Sequence, residues 1–287
     1  GADVTRFRGA RGSGVSAEMG LPVEWSSTKN IDWRVKLPGP GTSGPIVLGD
    51  RIYVTCYLGY GLKTNTGDLN DLMRHLLCID RKTGEIVWEQ KFKPEFPESE
   101  YLAGNDSQHG YASSTPTTDG ERLYVFFGKS GVYCLDLLGD QLWHASVGDG
   151  LHGWGSSNSP VLYKHLVIIN ASVESESVVA LNKMTGQEVW RVGSINNSWC
   201  TPVLVNPSQG GTELAISDSK TVLGLVPETG EELWRVGGFD RYVCPSLIAY
   251  QGIVYAVRDG SAAIRAGGRG DVTESHVVWR TGADSLV

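Results

Sequence analysis

The chain of 287 residues is long enough to bury a substantial core, and its composition is that of a globular protein. Its 37 glycines and 9 tryptophans predict many tight turns and a recurrent aromatic packing position, and they argue against a helical protein. The net charge of -7, with no cluster of Lys and Arg, argues against a nucleic-acid partner.

The N-terminal run G-A-D-V-T-R-F-R-G lacks the charged-then-apolar order of a signal peptide, and we expect any such signal to have been removed. No run of about 18 apolar residues occurs, so we predict no membrane span. The five cysteines lack C-x-x-C spacing and indicate neither a zinc site nor a disulfide framework, which leaves a single disulfide open.

The first predicted element is a strand over residues 25–37, which contains Trp33. A repeat follows over residues 43–88, with a polar insertion from Gly59 to His75. Four more repeats follow, at residues 113–143, 157–190, 199–234 and 242–279. They align on tryptophans separated by 55, 55, 47, 44 and 45 residues, which are Trp33, Trp88, Trp143, Trp190, Trp234 and Trp279. A period of this kind predicts a repeat architecture.

Each repeat has the pattern of four short strands joined by tight turns. In the second repeat, the strands are predicted near Pro116–Thr118, over Leu123–Phe127 and Val132–Asp136, and in a run that ends at Trp143. A proline after small polar residues starts each repeat, at Pro45, Pro116, Pro160, Pro202 and Pro245. A repeated four-stranded meander of about 40 to 50 residues is typical of a β-propeller blade. Because one sheet cannot bury both faces alone, we predict that one tryptophan per blade fills the gap between neighbouring sheets.

The run from Cys78 to Trp88 has the pattern x-x-D-x-x-T-G-x-x-x-W and is copied closely at Ala180–Trp190 and Gly224–Trp234. It resembles the tryptophan-docking motif of propeller repeats of the pyrroloquinoline quinone (PQQ) type, which occur in quinoprotein alcohol dehydrogenases and in BamB-like outer-membrane assembly proteins. The segments H-G-W-G-S-S-N-S-P and A-G-G-R-G-D-V-T-E-S-H-V-V-W-R also resemble PQQ-like repeat proteins abundant in planctomycete bacteria. The resemblance covers essentially the whole chain.

The fold class that follows is an all-β propeller of four-stranded antiparallel blades, in one domain over residues 1–287. Relatives of this type close with about eight blades. The repeats therefore imply about five complete blades of a seven- or eight-bladed ring, with residues 25–37 as the outer strand of the closing blade. We favour a chain that is part of a larger ring, and a ring with fewer blades is the alternative.

In a propeller, the loops entering the first strands and those joining the second and third strands open on one face, around the central channel, where ligand pockets form. The entering loops of this chain carry His109, Tyr111, His152, Trp154, Trp199 and Tyr242. We expect the second-to-third loops to add Lys129, Lys220, Arg258 and Asp259 nearby. Such residues could stack on a sugar or a quinone, hold anionic groups and transfer a proton. Alternatively, they plug a narrow channel.

Resemblance to the dehydrogenases implies PQQ bound over vicinal cysteines, a stacking tryptophan, and calcium held by Glu, Asn and a catalytic Asp. The sequence has no Cys-Cys pair and no calcium ligand set that we can assemble, so we predict no cofactor and no metal, and PQQ with calcium stays open as an unsupported alternative. It also lacks a G-x-S-x-G motif, which gives no support to a serine hydrolase. The tripeptide Arg269-Gly270-Asp271 is interpreted as a turn in the stretched fifth repeat.

Two classes of function stay open. The first, which we favour, is a non-catalytic scaffold of the cell envelope that binds a protein or a ligand through its rim loops or an exposed strand edge. The second is an enzyme or binding protein for a small polar ligand, a carbohydrate or a quinone, at the mouth of the central channel. The resemblance also implies a periplasmic or secreted location.

Overall fold

The computed structural model describes residues 2–9, 12–62, 67–98, 100, 110–258 and 260–282. These residues form five sheets, each with four antiparallel strands, which we number blades 1 to 5 along the chain. The longest helices among them span four residues, too few to cross a lipid bilayer. The sheets confirm the predicted all-β propeller of four-stranded blades.

Each blade is a meander in which consecutive strands pair. Blade 1 consists of β1 (Ile46–Leu48), β2 (Arg51–Leu58), β3 (Met73–Asp80) and β4 (Ile86–Phe92). Blade 2 consists of β5 (Thr117–Thr118), β6 (Arg122–Phe126), β7 (Val132–Asp136) and β8 (Gln141–Ala145). Blade 3 consists of β9 (Val161–Tyr163), β10 (Leu166–Ala171), β11 (Ser177–Asn182) and β12 (Glu188–Gly193).

Blade 4 consists of β13 (Val203–Val205), β14 (Glu213–Ser217), β15 (Val222–Leu225) and β16 (Glu232–Val236). Blade 5 consists of β17 (Ile248–Tyr250), β18 (Ile253–Ala256), β19 (Ala262–Arg265) and β21 (Val277–Arg280), and β20 (Gly270–Asp271) pairs instead with β16 of blade 4. The helices are short: the 3-10 turns Leu69–Asp71 and Gly128–Ser130, and the α-helical turns α1 (Ser172–Ser175) and α2 (Thr273–His276).

The core lies between the blades. Four buried clusters each combine apolar side chains of two neighbouring sheets, from blades 1 and 2 through blades 4 and 5. A sheet with strands this short cannot cover its own apolar faces, so each blade depends on its neighbours for burial.

The tryptophans at the repeat positions face small residues on the third strand. In each of the five blades, the tryptophan of the fourth strand pairs with a Cys, Ala or Gly of the third strand, and a β-bulge interrupts the ladder directly afterwards. The partners are Cys78, Cys134, Ala180, Gly224 and Ala263. At Gly224, a Cβ would lie 2.0 Å from the Trp234 ring, which shows how closely the indole covers its cross-strand neighbour. Two of the five free thiols, those of Cys78 and Cys134, thus serve as small apolar residues.

Four indoles also bind the next sheet along the chain. In each case the indole Nε1–H donates to a backbone carbonyl of the next blade. The acceptor residue lies in the turn between the third and fourth strands of that blade. The pairs are Trp33 to Arg81 at 2.9 Å, Trp88 to Leu137 at 3.2 Å, Trp143 to Lys183 at 3.0 Å and Trp190 to Pro227 at 3.1 Å. We call each of these contacts an indole clasp.

A glycine of the same turn lies against each clasped ring. Gly84, Gly139, Gly186 and Gly230 have φ between +73° and +97°, which favours glycine. A Cβ on any of them would lie 2.6 to 3.1 Å from an atom of the indole. This glycine, which follows a threonine in three of the four turns, is therefore needed twice, for the shape of the turn and for the approach of the ring.

The small polar residues beside the prolines link the first strands into a chain of hydrogen bonds. The backbone N–H of Gly44 donates to Thr115 Oγ1 at 2.9 Å, and the N–H of Thr115 donates to Ser159 Oγ at 3.0 Å. The N–H of Ser159 then donates to Thr201 Oγ1 at 3.0 Å, and that of Thr201 to Ser246 Oγ at 2.9 Å. Each bond joins one blade to the next, so these hydroxyls hold the inner edge together as the clasps hold the outer edge.

Blades 4 and 5 depart from this pattern. The fifth repeat lacks the Thr-Gly turn, and its stretched segment returns to the edge of blade 4 as β20. The buried Trp234 therefore donates its Nε1–H to Glu213 of its own sheet at 2.7 Å. Trp279 stays 45% exposed. The interpretation of Arg269-Gly270-Asp271 as a turn is wrong at its last two residues, which form the edge strand β20.

The N-terminal segment differs from the sequence expectation. Residues 25–37 form no strand, and no described strand pairs with their backbone. Trp33 nevertheless makes its indole clasp with blade 1. Residues 3–8 instead cross the first strands: Val4 bridges to Val47, and Arg8 donates to the carbonyl of Leu247 at 3.0 Å.

The polar insertion of blade 1 is shorter than the sequence suggested. Strand β3 begins at Met73, and His75 is buried inside it with Nδ1 2.5 Å from Glu89 Oε1. His75 therefore belongs to the sheet and not to a solvated loop.

Gly186→Ala tests the indole clasp against a matched control. Gly210 also has a positive φ, of +94°, but a Cβ there would meet no atom within 4 Å. We expect Gly210→Ala to lower the free energy of unfolding by about 1 kcal/mol, because only the left-handed backbone is penalised. Gly186→Ala should cost about 3 kcal/mol, because the Trp143 ring must also move and give up its hydrogen bond. Urea denaturation measures both, and equal losses would contradict a role for the ring contact.

Candidate functional site

Four aromatic side chains from three blades meet at one face of the propeller. His152 and Trp154 precede β9, Trp199 precedes β13, and Tyr242 precedes β17. The ring centroids of His152 and Trp199 are 4.7 Å apart, as are those of Trp154 and Tyr242, and the other pairs lie 5.2 to 6.2 Å apart. We call these four residues the aromatic cluster.

Backbone contacts between the entering loops hold the aromatic cluster in place. The Nε1–H of Trp199 donates to the carbonyl of Gly155 at 2.6 Å, and its backbone N–H donates to that of Val243 at 2.7 Å. Nδ1 of His152 accepts from the N–H of Trp154 at 3.1 Å, so that nitrogen carries no proton. Burial lowers the pKa of His152, and the ring is therefore neutral at neutral pH.

A polar cleft lies beside the aromatic cluster and shares His152 with it. The cleft encloses about 420 Å³, part of it open to solvent. Its lining includes the predicted residues Tyr111, Lys129 and His152. It also includes charged and hydroxyl side chains that the sequence analysis did not single out, namely Arg74, Glu98, Ser114, Ser156 and Glu174.

Arg74 and Glu98 form a buried ion pair in the cleft. Nη2 of Arg74 lies 2.6 Å from Glu98 Oε1, and both side chains are 4% exposed. Nε of Arg74 donates to the carbonyl of Tyr111 at 2.9 Å, and Nη1 donates to Ser130 Oγ at 3.1 Å. The guanidinium also lies over the Tyr111 and Phe127 rings. This arginine thus joins the mouth loops of blades 1 and 2, as its charge and its fork of donors allow.

Glu174, in α1, is the most unusual group of the cleft. It is 3% exposed, and its Oε1 accepts from the Ser156 hydroxyl. Its other oxygen, Oε2, and the buried Ser114 Oγ have no hydrogen-bond partner among the described residues. Burial raises the pKa of Glu174 to about 7, and the negative charge of Glu98 adds to the rise.

The predicted cations have other partners. Arg258 is buried and donates to the carbonyls of Asp218 at 2.7 Å, Ser219 at 2.8 Å, Asp240 at 2.7 Å and Arg241 at 2.9 Å. It thereby ties the mouth loops of blades 4 and 5 together and does not line the cleft.

The two lysines differ in burial. The Lys129 ammonium is buried at the cleft and donates to the carbonyl of Pro97, while Lys220 is exposed and does not line the cleft. Tyr111 is buried, with its ring 5.6 Å from that of Tyr57. His109 and Asp259 lie outside the described residues.

The residues missed by sequence analysis left only a weak signal. Glu174 lies in the second-to-third loop of blade 3, the position from which the lysines and Arg258 were taken in other blades. A search of every second-to-third loop would have identified Glu174, whereas a search by residue type for cations did not. Arg74 was hidden within the supposed insertion, and Glu98 follows blade 1 without a pattern.

The described residues show no set of side chains that would hold PQQ with calcium. The five thiols are free and lie apart in the sequence, so no vicinal pair can underlie a quinone ring. Within the described ranges, no three His, Cys, Asp or Glu side chains group closely enough to hold a metal ion. The buried acidic side chains of the cleft are a single ion-paired Glu98 and the hydroxyl-bonded Glu174.

The sequence matches the family model described as outer membrane protein assembly factor BamB, over residues 69–192 and 174–285. No curated protein matches the chain.

Among solved structures, BamB from Moraxella catarrhalis superposes with a TM-score of 0.53 at 13% identity, over 88% of this chain and 66% of that one. A quinohemoprotein alcohol dehydrogenase from Comamonas testosteroni superposes with a TM-score of 0.53 at 12% identity, over 85% and 43%. Another from Pseudomonas putida HK5 gives 0.51 at 13%, over 87% and 43%. The chain thus spans just under two thirds of that BamB and less than half of the dehydrogenases, and the likeness shows a shared fold.

The pKa of Glu174 predicts a specific pH dependence of stability. The carboxyl titrates near 4.5 in its ordinary state and near 7 in the fold, so the folded state binds more protons between these values. This contribution to stability is complete below about pH 4.5 and is lost as the pH rises through about 7. Relative to Glu174→Gln, the wild type should lose about 3 kcal/mol of unfolding free energy between pH 4.5 and 8.

Urea denaturation at several pH values measures this difference. The exposed Glu176, two residues along, provides the control, and Glu176→Gln should follow the wild type. Parallel curves for the wild type and Glu174→Gln would show that Glu174 is not buried as described.

Proposed function

Because the chain belongs to the BamB family of PQQ-like repeat proteins, we propose that it is a non-catalytic propeller scaffold that binds another protein through its mouth loops. The aromatic cluster is the observation that carries this proposal. Tyr242 is 49% exposed and Trp154 is partly exposed, although both are packed against other rings. Large rings held rigid at a surface are typical anchors of protein interfaces, because little side-chain entropy is lost on binding.

The contacts of the predicted catalytic and ligand-binding groups support binding over catalysis. Arg258 and Lys129 donate to backbone carbonyls, which occupies the charges expected to hold an anionic substrate. His152 accepts a backbone hydrogen bond at Nδ1 and packs edge to face on Trp199. In these contacts the side chains stabilise loops, which suits a preformed docking surface. The scaffold would act without PQQ or calcium.

The same family membership supports a place in the cell envelope. The matching model describes an outer membrane assembly factor, and a propeller with exposed mouth loops suits contact with other envelope proteins. We therefore infer a periplasmic or secreted location for this chain. A second candidate function, binding of a small polar ligand, is favoured by the unpartnered oxygens of Glu174 and Ser114 in the cleft.

Site-specific photo-crosslinking tests the docking surface. A benzophenone amino acid at position 242, in envelopes of the encoding organism, should give one discrete adduct with a protein. Tyr250 is a matched control, because it is also an exposed tyrosine of blade 5, at 60%, but does not belong to the aromatic cluster. A benzophenone at position 250 should give no such adduct, and Trp154→Ala should weaken the adduct at position 242 several-fold.

Equal adducts at positions 242 and 250, or none at either, would count against a docking surface at the aromatic cluster. Thermal stabilisation by PQQ with calcium that Trp199→Ala removes would contradict the non-catalytic part of the proposal.

A further inference from the structure

Two buried oxygens of the polar cleft lack a hydrogen-bond partner among the described residues. They are Oε2 of Glu174, a side chain 3% exposed, and Oγ of Ser114, 5% exposed. Buried polar atoms are nearly always satisfied, and a buried carboxylate oxygen without a partner is costly. We propose that this cleft binds a primary ammonium group, which donates to Glu174 Oε2 and to Ser114 Oγ.

The charges around Glu174 favour a cationic ligand. Arg74 directs its nitrogens to Glu98, the Tyr111 carbonyl and Ser130, and Lys129 donates to the Pro97 carbonyl. No described cation forms an ion pair with Glu174, and its one bonded oxygen accepts from a neutral hydroxyl. The carboxylate is therefore an uncompensated charge site, which a ligand with its own positive charge would complete.

Other ligand classes fit less well. An anion would face Glu98 and Glu174 together, because both carboxyls line the cleft. A neutral polyol could donate one hydrogen bond to Glu174 but would leave its charge unpaired. An ammonium group is compact and carries three donors and one charge, which suits a site with one unpaired carboxylate oxygen and one hydroxyl oxygen.

Ammonium binding should be coupled to the proton of Glu174. The free carboxyl has its pKa raised to about 7, and only its ionised form pairs with a cation. The other charged or titratable groups that line the cleft are Arg74, Glu98, Tyr111, Lys129 and His152. Burial lowers the pKa of His152 and raises that of Glu174 to about 7, so Glu174 is the group whose pKa is brought to near neutral pH. The affinity for an amine should rise about tenfold from pH 6 to pH 8.

The ammonium group could come from a lysine of a protein partner or from a free amine. The first source rests on the proposed docking function, because the cleft shares His152 with the aromatic cluster. The second does not. Small-molecule probes can therefore succeed or fail independently of crosslinking at position 242.

Isothermal titration of the full chain at pH 6, 7 and 8 tests the proposal. Butylammonium should bind, and butanol, which has the same carbon chain without charge, should not. Glu174→Gln should weaken butylammonium binding at least tenfold at pH 8 and remove its pH dependence, while the exposed control Glu176→Gln should change neither. Ser114→Ala should weaken binding a few-fold and keep the pH dependence, because Glu174 remains.

Two further probes distinguish the sources. If N-acetyl-lysine methylamide binds more tightly than putrescine, the result supports a partner lysine, and the reverse order supports a free amine. N-acetyl-norleucine methylamide is the uncharged control. Equal binding of butanol and butylammonium, an affinity independent of pH, or undiminished binding to folded Glu174→Gln would overturn the proposal. If Glu174→Gln does not fold, the pH titration and Ser114→Ala decide.

Discussion

The indole clasp is the interaction on which this fold depends. A sheet of four strands, several only two to five residues long, leaves both apolar faces to its neighbours, so the blades must be joined. The clasp joins them with one ring that fills the gap and one N–H that fixes its orientation on a turn of the next blade. The bulge and the small residue opposite each tryptophan contribute to the same contact, because they make room for the indole on its own sheet.

The candidate site follows from how the inner edges are joined. The hydroxyls of Thr115, Ser159, Thr201 and Ser246 tie the starts of neighbouring blades together and so bring the entering loops into contact. The loops themselves carry the rings of the aromatic cluster, and the second-to-third loops of blades 2 and 3 add Lys129 and Glu174 of the cleft. Side chains separated by almost a hundred residues, such as His152 and Tyr242, become neighbours with ring centroids 6.2 Å apart because three repeats place them alike.

The sequence predicted the blades well because their signals are local and repeated. Spacing of tryptophans, Gly turns and β-branched runs is enough to define four-stranded units, and β7 has the predicted bounds Val132–Asp136. The burial of Glu174 in the cleft was not predictable in the same way. Glu174 and Glu176 are two residues apart in S-V-E-S-E-S, yet α1 buries the first, while the second ends α1 in a left-handed conformation and is exposed. The difference in burial between the two side chains arises from packing against blade 2, which the local sequence pattern does not indicate.

Hydrogen exchange of the indole N–H groups, followed by NMR, tests the central claim most directly. The account predicts slow exchange for the side chains of Trp33, Trp88, Trp143 and Trp190, because each N–H is bonded to the next sheet. Trp25, 61% exposed, and Trp279, 45% exposed, should exchange as fast as free indole. Exchange of the four clasped indoles as fast as that of Trp25 would contradict the claim that these rings hold the blades together.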